Sequence, residues 1–162
     1  MRATYRFLAY AIAGLVVLQA AAIAMAAFGV FSYMEDHSIA RGTEPPTPGG
    51  FGFAIHALNG QFLIPLVAIV LLIVAFFAKI PGGAKWAGFV LLDVIVQIAL
   101  AFVSFGVPQI GFLHGLNALV LFGLAVMAGR RVATAVATAP EATSPATTAE
   151  GTPAAAGEGA PA

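Results

Sequence analysis

Four long apolar stretches dominate this 162-residue chain, and each is long enough to cross a lipid bilayer. A helix needs about 20 apolar residues to cross roughly 30 Å of hydrocarbon. Only 9% of the residues are charged, whereas soluble domains carry about 25%. The pattern excludes a water-soluble globule and predicts an all-α integral membrane four-helix bundle. The predicted spans are residues 7–33, 51–78, 86–107 and 110–129.

All the basic residues except Arg41, which lies in the predicted outer loop, stand at one end of these spans and predict the orientation of the chain. Positive residues are enriched in the cytoplasmic loops of membrane proteins. We therefore expect both termini to be cytoplasmic in a bacterial plasma membrane, with the breaker-rich loop 34–50 outside. The basic residues on the predicted inner side are Arg2, Arg6, Lys79, Lys85, Arg130 and Arg131.

The two ends of the chain carry separate expectations. The first span has 27 residues, longer than the apolar region of about 7–15 residues in a signal peptide, so we expect it to be retained. Residues 133–162 are rich in Ala, Thr and Pro and contain no aromatic side chain. Such a segment cannot bury enough apolar surface to become ordered. We therefore expect a transmembrane domain over 1–132 and a disordered cytoplasmic tail over 133–162.

Composition and motifs exclude several classes of function. The chain lacks cysteine, which rules out disulfides and iron–sulfur ligation by cysteine. Its formal net charge is zero, so no basic surface points to nucleic acid. No hydrolase, transferase or nucleotide-binding motif is present. The lipid bilayer is the expected partner, and whether the protein is an enzyme stays open.

The second half of the sequence resembles the first. Residues 53–60 and 111–118 both read His-x-Leu-Asn after an apolar triplet, and Gln19 and Gln97 hold corresponding positions in the first and third spans. The pattern indicates two copies of one helical hairpin. In an up-down-up-down bundle the second and fourth spans are parallel, and we expect them to lie on a diagonal with their histidines near the outer side.

His56 and His114 are the main candidates for chemistry, because polar residues within spans are costly and usually functional. One histidine from each of two parallel helices can bind one haem b iron axially. Asn59 and Asn117 follow at i+3 and are candidates to orient the rings or to bond a propionate. The alternative is that each histidine hydrogen-bonds an asparagine or a backbone carbonyl.

Small residues near the histidines, above all Gly60 and Gly115, have two possible uses. They allow close helix packing, or they leave room for a flat ligand. Gly52, Gly106 and Gly111 belong to the same group.

The spacing of the histidines argues against a shared ligand. His56 lies 23 residues before Lys79, whereas His114 lies 16 residues before Arg130. At about 1.5 Å per residue this difference corresponds to roughly 10 Å of depth.

Asp93 is the only carboxylate inside a predicted span, and Gln97 follows it at i+4. Polar side chains that follow one another on a helix face, as these two do, could form part of a path for a proton or a cation. We favour a structural role in which the acid, protonated or assisted by Lys85, bonds Gln97 or another helix. His37, in the outer loop, is a weaker candidate metal ligand.

At the motif Leu113-His114-Gly115-Leu116-Asn117-Ala118, the chain resembles a family of small, functionally uncharacterised bacterial four-span proteins. The resemblance covers roughly residues 7–131. More distantly, histidines on alternate helices are similar to b-type cytochromes of the cytochrome b and b561 kind. That resemblance implies at most one haem, because only one histidine pair is present.

Three functions follow as expectations. The most specific is a single-haem electron carrier or redox subunit, associated with a membrane redox complex or with itself. The second is a non-catalytic accessory membrane protein, and the third is a small transporter that uses Asp93.

Overall fold

The structure, a computed structural model, describes residues 1–36 and 47–137, and within these ranges the chain is almost entirely helical. Four of its helical segments are long and apolar enough to cross a membrane. The expected all-α membrane four-helix bundle is therefore confirmed. The helices are α1 (Arg2–Asp36), α2 (Thr47–Leu58), α3 (Ile64–Ala78), α4 (Gly83–Gly106) and α5 (Gly111–Ala137).

The second span, Gly49–Ala78, is one helical rod interrupted by a π-helical turn. This turn, Asn59–Leu63, joins α2 to α3. Pro65 stands in the first turn of α3, where its missing N–H breaks the regular ladder of helical hydrogen bonds. A π-turn accommodates such a break without unwinding the helix, and π-turns are frequent at functional sites.

Short turns connect the remaining helices close to the predicted positions. Lys79 adopts a left-handed conformation with φ 50° and ends α3, and Gly82 follows with φ 71°. Arg2 donates a hydrogen bond to the Lys79 carbonyl oxygen at 3.3 Å. Between α4 and α5 lies a single 3-10 turn, Pro108–Ile110.

The four spans pack in a ring. The first and third spans lie on one diagonal of this ring, and the second and fourth lie on the other. α1 packs against α2, α3 and α5, while α4 packs against α3 and α5. The second and fourth spans therefore face each other across the bundle interior, as predicted from the duplicated hairpins.

The core lies in the half of the bundle that carries the basic residues. Tyr5 is fully buried and donates a hydrogen bond to the Gly83 carbonyl oxygen at 3.0 Å, which ties α1 to the start of α4. The Arg131 guanidinium lies 4.9 Å from the centre of the Trp86 ring. The surface of the bundle that faces away from its interior is apolar; Phe105, for example, is 83% exposed. A surface of this kind suits a multi-pass protein in contact with lipid.

Two expected segments fall largely outside the described residues. α1 runs to Asp36 and α2 begins at Thr47, so both ends of the predicted loop 34–50 are helical. Residues 37–46, His37 among them, lie outside the described ranges. α5 continues to Ala137, five residues into the segment expected to be disordered. The rest of that segment, 138–162, lies outside the described residues.

Candidate functional site

The two histidines meet in the bundle interior. His56 on α2 and His114 on α5 have ring centroids 6.2 Å apart and ring planes inclined at 63°. The depth difference inferred from their spacing is therefore absent. That estimate took Arg130 as the end of the fourth helix, whereas α5 continues to Ala137.

Each histidine ring is held by a backbone carbonyl of the preceding span. His56 Nδ1 lies 3.3 Å from the Gln19 carbonyl oxygen, and His114 Nδ1 lies 3.1 Å from the Gln97 carbonyl oxygen. A carbonyl oxygen only accepts, so each Nδ1 carries a proton, and in the neutral ring Nε2 then keeps its lone pair. Metal-binding histidines commonly have this arrangement, and here it recurs in both hairpins.

The side chains of the two corresponding glutamines behave differently. Gln97 Nε2 donates a hydrogen bond to the His114 carbonyl oxygen at 3.0 Å and lies 3.4 Å from His114 Nε2. Gln97 Oε1 accepts a hydrogen bond from Asn117 Nδ2 at 2.8 Å. By contrast, Gln19 Oε1 is buried and has no hydrogen-bond partner in the described part of the chain.

A cavity of about 330 Å³ reaches both histidine rings. Gln19 and Gln97 line it together with side chains of α2 and α4. Three of the lining residues are phenylalanines that are also exposed on the surface of the bundle. Cofactor sites are typically concave and mostly apolar with a few polar groups, in the range of about 300–1,000 Å³. The phenylalanines are Phe53, Phe102 and Phe105.

The asparagines join helices and do not orient the histidine rings. Asn59 is 5% exposed and donates a hydrogen bond to the Leu15 carbonyl oxygen at 3.0 Å. Asn117 donates to Gln97, and its Nδ2 also lies 3.4 Å from Asp93 Oδ2. Within the described ranges neither side chain hydrogen-bonds a histidine ring. The backbone carbonyl oxygens of Gln19 and Gln97 bond the rings instead.

The glycines near the histidines differ in what surrounds them. A Cβ atom on Gly60 would collide with the Gln19 side-chain nitrogen, and one on Gly52 would collide with the backbone of α1. These two glycines serve close packing. A Cβ atom on Gly115 or Gly106 would meet nothing within 4 Å, and one on Gly111 would meet only Ser104 Oγ at 3.9 Å. Gly106 and Gly115 are exposed on the surface of the bundle, and Gly115 is not among the residues that line the cavity.

Asp93 contacts a neighbouring helix, and its position shows where the two hairpins differ. Its Oδ2 atom lies near Asn117 of α5. The nearest lysine on α4, Lys85, directs its ammonium group over the Phe89 ring, 5.6 Å from the centroid. Asp93 stands four residues before Gln97, and Leu15 stands four residues before Gln19. The second hairpin thus has an acid where the first has an aliphatic side chain.

The donor set suits a haem better than a bare metal ion. Structural zinc takes four protein ligands and catalytic zinc three, and among the described residues no group of three or more His, Cys, Asp or Glu side chains could hold a metal. A haem iron needs only axial ligands from the protein. His56 and His114 both line one cavity and are the two imidazoles that could serve in this way.

Comparison of the chain with protein-family models, with curated proteins and with solved structures found no match.

Proposed function

We propose that the protein is a membrane electron carrier or redox subunit that binds one haem b between His56 and His114. The separation of their ring centroids, 6.2 Å, carries this proposal. A metal–imidazole nitrogen distance is about 2 Å, so two imidazoles that held one iron between them would have ring centres roughly 6 Å apart. The observed separation of the rings is compatible with that spacing.

The surroundings of the rings support the same function. Each Nδ1–H is fixed by a glutamine carbonyl, which holds the ring orientation and makes Nε2 a stronger donor to a metal. The apolar cavity wall limits the access of water, which tunes the redox potential of a bound iron. When bound, the haem supplies a one-electron couple. His56 and His114 would hold it, the backbone carbonyls of Gln19 and Gln97 would orient the two rings, and the apolar cavity lining would separate it from water.

We further propose that the site lies toward the outer side of a bacterial plasma membrane. The grouping of basic residues at the opposite end of the bundle supports cytoplasmic termini through the positive-inside rule. A redox partner then meets the protein from the outer side or within the bilayer, as part of a membrane complex or as a second copy of the chain.

The haem content of the purified protein tests this proposal. After expression with ample haem supply, we expect a Soret band, a b-type pyridine haemochrome and about one haem per chain, because one histidine pair is available. Titration of haem into haem-free protein should saturate at the same ratio. A colourless protein that binds no added haem would contradict the proposal and favour the accessory or transporter function.

A further inference from the structure

A groove of about 250 Å³ lies along the outside of the bundle, where α4 meets α5, and it contains the carboxylate of the third span. None of the residues that line it lines the cavity of the histidines. The groove is therefore a second surface feature, separate from the site of the proposed haem. Its lining residues are Phe89, Leu92, Asp93 and Val96 of α4 and Leu124 of α5.

Asp93 stands near the middle of its span. It follows Gly83, the first residue of α4, by ten positions and precedes Gly106, the last, by 13. At about 1.5 Å per residue, these distances are roughly 15 Å and 20 Å along the helix axis. The carboxyl group is thus far from both membrane surfaces, where a charged group is costly unless it has a partner.

The chain itself gives this carboxyl group little. Within the described ranges its one hydrogen-bond partner is Asn117, whose Nδ2 lies 3.4 Å from Oδ2. The same nitrogen makes a shorter bond of 2.8 Å to Gln97 Oε1. An ionised carboxyl group has about four acceptor positions, so most of its capacity to accept hydrogen bonds is unused.

The nearest cation on the same helix is held away from the acid. Lys85, Phe89 and Asp93 follow at intervals of four residues and so share one helix face. The Lys85 ammonium group lies over the Phe89 ring, 5.6 Å from its centroid. The backbone positions of Lys85 and Asp93 are eight residues, or about 12 Å, apart. A cation that pairs with Asp93 at its own depth must therefore come from another molecule.

The shape of the groove suits a helix. Its α4 residues stand at positions i, i+3, i+4 and i+7, the spacing of a stripe that packs against another helix. A different stripe of α4 is buried in the bundle, whereas Phe89, Leu92 and Val96 are exposed. Inside a bilayer, a helix satisfies all its backbone groups within one segment. The groove thus presents an unoccupied packing stripe with an acid in it.

We propose that this groove is the docking surface for a transmembrane helix of a partner protein that carries a lysine or arginine at the depth of Asp93. Charged residues inside membranes commonly pair with one another, and Asp93 supplies the acidic half of such a pair. A second copy of this chain in the same orientation does not fit. Its lysines and arginines stand at the ends of the predicted spans or in the loop that contains Arg41.

Association with synthetic transmembrane peptides tests the inference. The probe is a Leu/Ala helix of about 22 residues with one central lysine and a fluorescent acceptor, and the reference peptide has glutamine in place of the lysine. The full-length protein carries a donor dye at Ala3→Cys, because the chain has no other cysteine. In phosphatidylcholine vesicles, energy transfer should show that the lysine peptide binds about tenfold more tightly, as expected for a hydrogen bond to a charged group.

Matched variants separate the charge from the shape of the groove. Asp93→Asn keeps the size of the side chain and should remove the preference for the lysine peptide. Val96→Trp fills the groove without changing the acid and should weaken the binding of both peptides, so it also tests the inference if Asp93→Asn folds poorly. Val17→Trp makes the same change at an exposed position of α1, outside the groove, and should leave the binding of both peptides unchanged.

Three results would overturn the inference. The first is equal binding of the two peptides to the wild type, and the second is an undiminished preference for lysine in Asp93→Asn. The third is binding of tetraphenylphosphonium that requires Asp93 while the lysine peptide does not bind, which would indicate a site for a small organic cation. Because the groove and the histidine cavity have no lining residue in common, a colourless protein would leave this inference intact.

Discussion

His56→Ala and His114→Ala should each abolish the six-coordinate low-spin haem spectrum of the purified protein. Each substitution removes one of the two axial ligands, and the described residues offer no other histidine near the cavity. The remaining imidazole can hold a five-coordinate haem at most, so we expect high-spin spectra and a large loss of bound haem. The measurement is the absorption spectrum and haem content of each variant after purification in mild detergent.

His37→Ala is the matched control, because it removes the remaining histidine of the chain and leaves His56 and His114 unchanged. Its spectrum and haem content should equal those of the wild type. If His37→Ala alone loses the low-spin spectrum, the ligand assignment is wrong. The same conclusion holds if either of the two other variants keeps a full low-spin spectrum.

Gly52→Ala should cause the largest loss of stability among single small substitutions at the helix contacts. Its Cβ atom would lie 2.6 Å from the Ala22 carbonyl oxygen and 2.7 Å from the Ala26 nitrogen, both backbone atoms of α1. α1 and α2 would have to separate, and overpacking of this kind typically costs about 1–3 kcal/mol. Because α1 carries the carbonyl that holds His56, haem affinity should fall as well.

Gly14→Ala is the control for this substitution, since a Cβ atom there would meet nothing within 4 Å. Alanine has a higher helix propensity than glycine, so the stability of this variant should be equal or slightly raised. Thermal unfolding in detergent, followed by circular dichroism, compares the two variants. Equal melting temperatures for Gly52→Ala and the wild type would show that α1 and α2 are not packed as closely as described.

Much of the fold was predictable because a lipid bilayer permits few kinds of backbone structure to span it. A run of about 20 apolar residues must satisfy its backbone groups internally, and helices achieve this. The duplicated His-x-Leu-Asn motif then predicted that His56 and His114 lie on one diagonal. Their ring separation agrees with this prediction, although the spacing to Lys79 and Arg130 pointed the other way.

The hydrogen-bond partners of the histidines were not predictable. Every residue has a backbone carbonyl, so the carbonyls of Gln19 and Gln97 leave no trace in the sequence beyond the recurrence of glutamine at corresponding positions. Asn59 and Asn117 were expected near the rings because i+3 neighbours share a helix face. Their side chains turn to other helices instead, where α1 and α4 supply acceptors.

The asymmetry between the hairpins needed side-chain positions as well. The sequence shows Asp93 opposite Leu15 once the repeats are aligned. It does not show that the acid orients Asn117, nor that Asn117 orients Gln97. These contacts depend on which atom of each side-chain amide, the nitrogen or the oxygen, faces the neighbouring residue.

Pulsed electron paramagnetic resonance of the oxidised protein tests the central claim most directly. In protein labelled with ¹⁵N-histidine, a low-spin ferric haem should show coupling to the nitrogens of two axial imidazoles, and His56→Ala or His114→Ala should remove one of them. A haem signal without two coupled histidine nitrogens would contradict the site described for this bundle, as would the absence of any haem signal after expression with ample haem.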